Sequence, residues 1–177
     1  MKFSTNKGKF EQVIASMQPF LEKKDLSAIT SHIYIEIIND TLILKSTDYE
    51  MGLSSHIDEI ENYEEGKATV NGSNLLNIIR RLKNENINFE VIDNNLHIKQ
   101  NKTSFKLPMY DANEYPNFPN METLHKIDIN IINVINSIKN ITPAIDNNNP
   151  KFELNVSLID IIDDKINFVA TDTRRLE

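Results

Sequence analysis

The side chains able to do chemistry in this chain are few, and their spacing argues against most reactions. There is no cysteine, so thiolate catalysis, disulfides and thiolate metal sites are excluded. The histidines, His32, His56, His97 and His125, stand isolated, with no partner four residues on and no HExxH spacing. Asp160, Asp163 and Asp164 lack the glycine and the terminal glutamate of a calcium loop, and read as a solvated hairpin turn. The four glycines form no GxGxxG or GxxxxGK phosphate cradle, and there is no GxSxG nucleophile elbow. Thr171-Asp172 could be imagined as a catalytic pair. However, Thr47-Asp48 repeats it in a different setting, followed by Tyr49-Glu50 where the later pair is followed by Thr173-Arg174. A pair present in both settings is more simply a structural device at a strand end, where Asp accepts hydrogen bonds from local backbone. A non-enzymatic protein without metal or cofactor is the expectation.

What remains are basic residues on helix faces. A second helix shows Asn74, Asn77, Arg80, Arg81 and Asn84, and a third shows Asn133, Asn136, Lys139 and Asn140. Most acids sit instead in expected hairpins and loops such as Asp58-Glu59-Ile60-Glu61 and Glu64-Glu65. The helix faces are either ordinary solvated surface or a surface tuned to phosphates that reads no base edges. A net charge of −7 argues against a nucleic-acid binder recognised by bulk charge, but not against a few basic residues gathered on one surface. The N-terminal residues have no apolar signal-peptide core, and no apolar run is long enough to span a bilayer.

The elements that must position these residues follow from periodicity. A short strand over Lys2 to Thr5 leads into a helix from Lys7, with Phe10, Val13, Ile14 and Met17 on one face. Pro19 stops that helix near Gln18. Ile33–Ile38 and the run from Leu42 read as a hairpin about Asn39-Asp40, and Gly52–Ile57 as a third strand. The same order recurs at an offset of 65: a strand over Lys67 to Val70, then a helix capped by Ser73 or Asn74 and carrying Leu75, Ile78, Ile79 and Leu82. Strands over Asn88–Ile92, Leu96–Lys99 and Ser104–Leu107 complete it, with Asp93-Asn94-Asn95 at the first turn. Two β-α-β-β-β units with apolar helix stripes packed on sheets make a layered α+β domain.

A larger repeat contains this one. Residues 2–53 recur at 126–177 with an offset of 124 and no gap, matching Asn6 with Asn130, Pro19 with Pro143 and Thr47-Asp48 with Thr171-Asp172. The proline-bounded stretch Tyr115–Pro119 reads as a linker. A strand is expected near Lys126, then a helix from Asn130 with Ile131, Val134, Ile135 and Ile138 on one face. A hairpin of Phe152–Ile162 with Lys165–Ala170 follows. The expected division is 1–122 as a complete domain and 123–177 as the first part of its duplicate, which stops at Glu177.

These strings resemble one family, the bacterial sliding clamp, the beta subunit of DNA polymerase III. The opening Met1-Lys2-Phe3, Ser46-Thr47-Asp48-Tyr49-Glu50, and Phe105-Lys106-Leu107-Pro108 with Glu114–Pro119 are similar to its first-domain segments. Val169-Ala170-Thr171-Asp172-Thr173-Arg174-Arg175-Leu176 is similar to its second-domain ATD-x-x-R-L segment, with Thr173-Arg174 where many members have Gly-His. The resemblance implies the DNA-clamp fold, with helices on one face of curved antiparallel sheets. It implies a ring of two chains of three domains, which encircles duplex DNA without sequence preference and gives the replicative polymerase its processivity. An acidic protein can do this because topology supplies the retention. Partners implied are duplex DNA, the replicative polymerase, the clamp loader and clamp-binding repair proteins, in a cytoplasmic, nucleoid-associated setting.

By the same resemblance, Lys23, Lys24, Arg80 and Arg81 face DNA, and helix polarity extends this to Lys139. Phe105 and Leu107 lie on an edge strand that meets another chain. Leu154, Thr171, Thr173, Arg174, Arg175 and Leu176 form one wall of a groove for partner peptides. With the rest of domain II and all of domain III absent, the expectation is that this piece forms no closed ring. The alternative from another class is an interaction adaptor that reuses the fold and never encircles DNA.

Overall fold

An asparagine opens each α-helix. In the computed structural model, which describes residues 1–25, 27–118, 127–163 and 165–177, Asn6 caps α1 (Lys7–Met17), Asn71 caps α2 (Gly72–Arg81) and Asn130 caps α3 (Ile131–Ile141). Each side-chain oxygen accepts from first-turn amides: Gly8 and Lys9 in α1, Asn74 in α2, Ile132 and Asn133 in α3. These amides have no acceptor within the helix, so the cap satisfies groups otherwise left unpaired. The caps fall at the two repeat offsets. Ser73 and Asn74, expected as caps, lie inside the first turn of α2 instead.

The chain divides into two units, Met1–Pro119 and Asn120–Glu177. The boundary expected between 122 and 123, the strand expected near Lys126, His125 and Asp164 all lie outside the described residues.

The first unit builds two antiparallel sheets. One has the order β5-β1-β7-β8-β9, from β1 (Lys2–Asn6), β5 (Glu61–Glu64), β7 (Asn86–Ile92), β8 (Asn95–Gln100) and β9 (Thr103–Pro108). The other has the order β4-β3-β2-β6, from β2 (His32–Ile38), β3 (Thr41–Thr47), β4 (Gly52–Ile57) and β6 (Gly66–Asn71). Asn39 and Asp40 turn the β2–β3 hairpin at φ of 46° and 68°, and Asp93 and Asn94 turn β7–β8 at 46° and 58°. Two successive positive φ values match the strand twist, and Asn and Asp tolerate them.

One core joins both sheets to both helices. The Phe3 and Phe89 rings stack with centroids 4.6 Å apart, and Phe10 of α1 lies 4.7 Å from Phe89. Ile14 and Met17 of α1 and Leu75, Leu76 and Ile79 of α2 are buried in the same cluster. Each such side chain contributes about 1.5–3 kcal/mol by leaving water.

Two features of this unit correct the sequence-based expectation. Glu61 and Glu64, expected in loops, belong to β5, an added edge strand paired to β1. All four β5 residues are exposed, so no apolar alternation marks the strand, and its charges protect an open edge. Second, the expected linker is packed as far as it is described. Met109 bridges to Val70, and the Tyr110 ring stacks on His32 at 4.2 Å. The Tyr115 hydroxyl donates to the carbonyls of His32 and Lys45, both at 3.2 Å. Phe118 reaches Gly52, where an added Cβ would lie 2.9 Å from the ring. Met109–Phe118 is therefore a strap across the outer face of the β4-β3-β2-β6 sheet.

Among the described residues the second unit holds α3 and one hairpin, β10 (Leu158–Ile162) with β11 (Lys165–Val169). β10 begins later than expected, because Phe152–Leu154 forms a 3-10 turn. Ile127–Asn130 forms no strand. Ile141, Ala144 and Ala170 make a small core with Ile145 and Phe168. The expected apolar stripe of α3 is not covered: Ile131, Ile135 and Ile138 are exposed. In the first unit, the strand and helix that cover α1 include β7 and α2, from the second half of the 65-residue repeat. The second unit has no such half within this chain. Among the described residues no helix is long and apolar enough to cross a membrane.

Candidate functional site

The Thr-Asp pair builds the same turn in both units. In the second, the Thr171 hydroxyl donates to the Arg175 carbonyl at 2.7 Å, and the Thr173 amide donates to Thr171 Oγ1 at 3.1 Å. Asp172 Oδ1 accepts from the amides of Arg174 at 2.9 Å and Arg175 at 3.0 Å. In the first, Thr47 donates to the Met51 carbonyl at 2.7 Å, Tyr49 donates to Thr47 Oγ1 at 3.0 Å, and Asp48 accepts from Glu50 and Met51 at 3.1 and 2.8 Å. Thr173 and Tyr49 occupy the same positive-φ corner, at 73° and 75°. The carboxylate is consumed by local backbone, as a structural device requires and a catalyst could not afford.

Asp172 has one partner that Asp48 lacks. The Arg175 guanidinium donates from Nε to Asp172 Oδ2 at 2.9 Å. That bond first, and the two amides after it, pull the Asp172 carboxyl down to about 2. Arg174 has no ion pair among the described residues, so its charge stays available.

The six residues expected as a groove wall are divided by the structure. Thr173, Arg174 and Arg175 line a hollow of about 460 Å³ with Pro143, Ile145, Asp146 and Asn149. Leu176 lines another, of about 630 Å³, with Ile141, Phe168 and Val169. Leu154 is buried, its amide and carbonyl tied to Lys151 and Asp146, and Thr171 is half-buried beneath the turn. Pro143, Ile145, Asp146 and Asn149 are absent from the sequence-based set. The repeat offset could have supplied the first three: their counterparts Pro19, Leu21 and Glu22 line the equivalent hollow of the first unit, with Lys23, Lys24, Asp48 and Glu50.

The basic residues are all exposed and lie on separate elements. Arg80 and Arg81 end α2, where positive charge suits the helix dipole. Arg80 lies 3.7 Å from Glu11 of the adjacent α1, which offsets part of its field. Lys23 and Lys24 share their hollow with Asp48 and Glu50. Lys139 lies on the last turn of α3 in the other unit. Phe105 and Leu107 do lie on an edge strand, β9, and there Leu107 is buried and Phe105 packs against the same core. The strand therefore offers another chain its backbone edge more than these two side chains. Among the described residues no three metal-type side chains converge.

Comparison with known proteins decides the family. The model of the DNA polymerase III beta subunit, N-terminal domain, matches residues 1–119. The chain belongs to this family. It is 42% identical to the beta sliding clamp of Helicobacter pylori over 99% of its own length and 48% of that protein. It superposes with a TM-score of 0.92 on the crystal structure of the Helicobacter pylori beta clamp bound to a DNA ligase peptide, at 41% identity over 99% of this chain and 50% of that one. The Pseudomonas aeruginosa DNA polymerase III subunit beta, at 22% identity, shares the fold with a TM-score of 0.90 over 99% of this chain and 48% of that one. The chain thus spans about half the length of the relatives it matches. An α+β DNA-clamp fold is the common architecture.

Proposed function

We propose that this chain is the N-terminal half of a DNA sliding clamp subunit. Residues 1–119 form its first domain and the rest contributes to a second. In this role the protein encircles duplex DNA without sequence preference, tethers the replicative polymerase, and catalyses nothing itself. The observation that carries this is the match of the first unit to the beta subunit domain, joined to superposition of the whole chain on the Helicobacter pylori clamp.

The basic residues Lys23, Lys24, Arg80, Arg81 and Lys139 are assigned to the DNA side. Exposed cations that contact only phosphates fit a protein that must hold DNA and still slide. The β9 edge is assigned to the contact with another subunit, since an edge strand presents unpaired backbone groups. The turn Thr171–Leu176, together with Leu154, is assigned to one wall of the partner-peptide groove. The Helicobacter pylori clamp was solved with a DNA ligase peptide bound, which supports a like role here. Polymerase, clamp loader and repair proteins would all use this wall, at the nucleoid.

Arg80→Glu with Arg81→Glu, made in the full polypeptide that contains this chain, tests the DNA face. Loader-driven placement on circular duplex should fall several-fold while peptide binding stays unchanged. Unchanged loading would favour an adaptor that never encircles DNA.

A further inference from the structure

The outer face of the β4-β3-β2-β6 sheet holds a polar cleft lined by none of the residues assigned above to DNA, another subunit or a partner peptide. Its volume is about 210 Å³, and Tyr34, Lys45, Lys67, Asn113, Asn117 and Phe118 line it. Strand register builds the floor: Tyr34 stands opposite Lys45, and Glu36 opposite Lys67. The strap closes one side. Lys45 Nζ lies 5.4 Å from the centre of the Tyr34 ring and 5.8 Å from that of Phe118. Lys67 Nζ pairs with Glu36 at 3.3 Å.

The charges do not balance. Glu36 answers Lys67, while Lys45 has no ion pair among the described residues. Ring faces attract its charge but accept none of its N–H bonds in the way an oxygen does. Burial pushes the Tyr34 phenol up, so its hydroxyl keeps its proton. Asn113 and Asn117 also line the cleft, and the Asn113 carboxamide, which gives one hydrogen to Asp111 Oδ1 at 3.0 Å, keeps a second N–H. Nor does the hairpin need this lysine. At the offset of 124, Leu158 and Val169 replace Tyr34 and Lys45 at the same cross-strand register, and the hairpin still forms.

We propose that this cleft binds a small oxyanion, a carboxylate or a phosphate, with Lys45 as its main ligand and Lys67 and the two carboxamides as supporting donors. One uncompensated positive charge suits one carboxylate. At about 30 Å³ per water, the space holds such an anion and several waters.

Thermal unfolding of this chain tests the site, with malonate or inorganic phosphate replacing chloride at constant ionic strength. The expected result is a saturable rise in Tm with one or both anions. Lys45→Met should weaken it at least tenfold, and Lys151→Met, on the other unit, should leave it unchanged. A response to malonate alone points to carboxylate ligands, and to phosphate alone to phosphoryl ligands. Stabilisation that never saturates and is equal in all variants is exclusion of salt from the surface, and it overturns the proposal. Should Lys45→Met fold poorly, amide NMR of the unaltered chain decides: saturable shifts at Lys45, Lys67 and Asn113 support the site, and shifts elsewhere or none refute it.

Discussion

Asp48 and Asp172, 124 residues apart, each hold the amides two and three residues ahead of them through one carboxylate oxygen. The turn is thus a fixed part of the repeated unit, and its side chains are free to differ. Tyr49 and Glu50 in one copy become Thr173 and Arg174 in the other. The scaffold is shared, and the side chains it presents differ between the two copies.

The Asp172 turn is acid-sensitive. Its carboxyl sits at about 2 in the fold against an ordinary 3.8. A depressed carboxyl stabilises the fold above its unfolded value, and that contribution is lost as pH falls through the folded one. The Arg174 and Arg175 amide resonances should therefore shift between about pH 4 and pH 2, and Asp172→Asn should show shifted positions already at neutral pH. Amide NMR across that range checks this, and resonances that do not move would contradict it.

Removing the cap of α2 should be measurable by comparing two variants that both lose the bond from the Asn71 carboxamide nitrogen to Ser31 Oγ. Asn71→Ala leaves the Asn74 amide without its acceptor and should cost about 1 kcal/mol, while Asn71→Ser, which keeps an oxygen, should cost much less. Urea unfolding followed by circular dichroism gives both values. Equal losses would mean that the cap bond carries nothing.

These caps also mark how far the sequence could be read. Asn6, Asn71 and Asn130 fall on the repeat offsets, and the hairpin turns at Asn39-Asp40 and Asp93-Asn94 were legible from residue type. β5 was not, because Glu61–Glu64 is exposed on both faces and carries no periodicity. The strap was hidden because Tyr115-Pro116 reads as extended chain, and only the tertiary contact of the Tyr115 hydroxyl with His32 and Lys45 shows it packed. The α3 stripe was read correctly as apolar, but apolarity cannot tell whether a covering layer is present in the chain. At the candidate groove, the resemblance named Thr173–Leu176, whereas Pro143 and Asp146 become visible as lining residues once the hollow of the first unit is matched to that of the second at the repeat offset.

Buried His32 adds a pH dependence of its own. Burial holds its imidazole below the ordinary 6.5, opposed only in part by the Thr69 backbone. The unfolded chain takes up the proton first, so stability should decline as pH falls below about 6.5. His32→Phe keeps a ring against Tyr110 and should flatten the change in urea midpoint between about pH 7.5 and 5.5. An identical slope in the variant would assign the effect to other groups.

Retention on DNA of the full polypeptide containing this chain bears most directly on its assignment as half of a sliding clamp subunit. It should be loaded on a nicked circular duplex and followed before and after one restriction cut. Held by topology, the protein should stay on the circle and leave the linear product at least ten times faster, whatever the DNA sequence. Equal lifetimes on circle and linear DNA, or a lifetime set by sequence, would contradict the account.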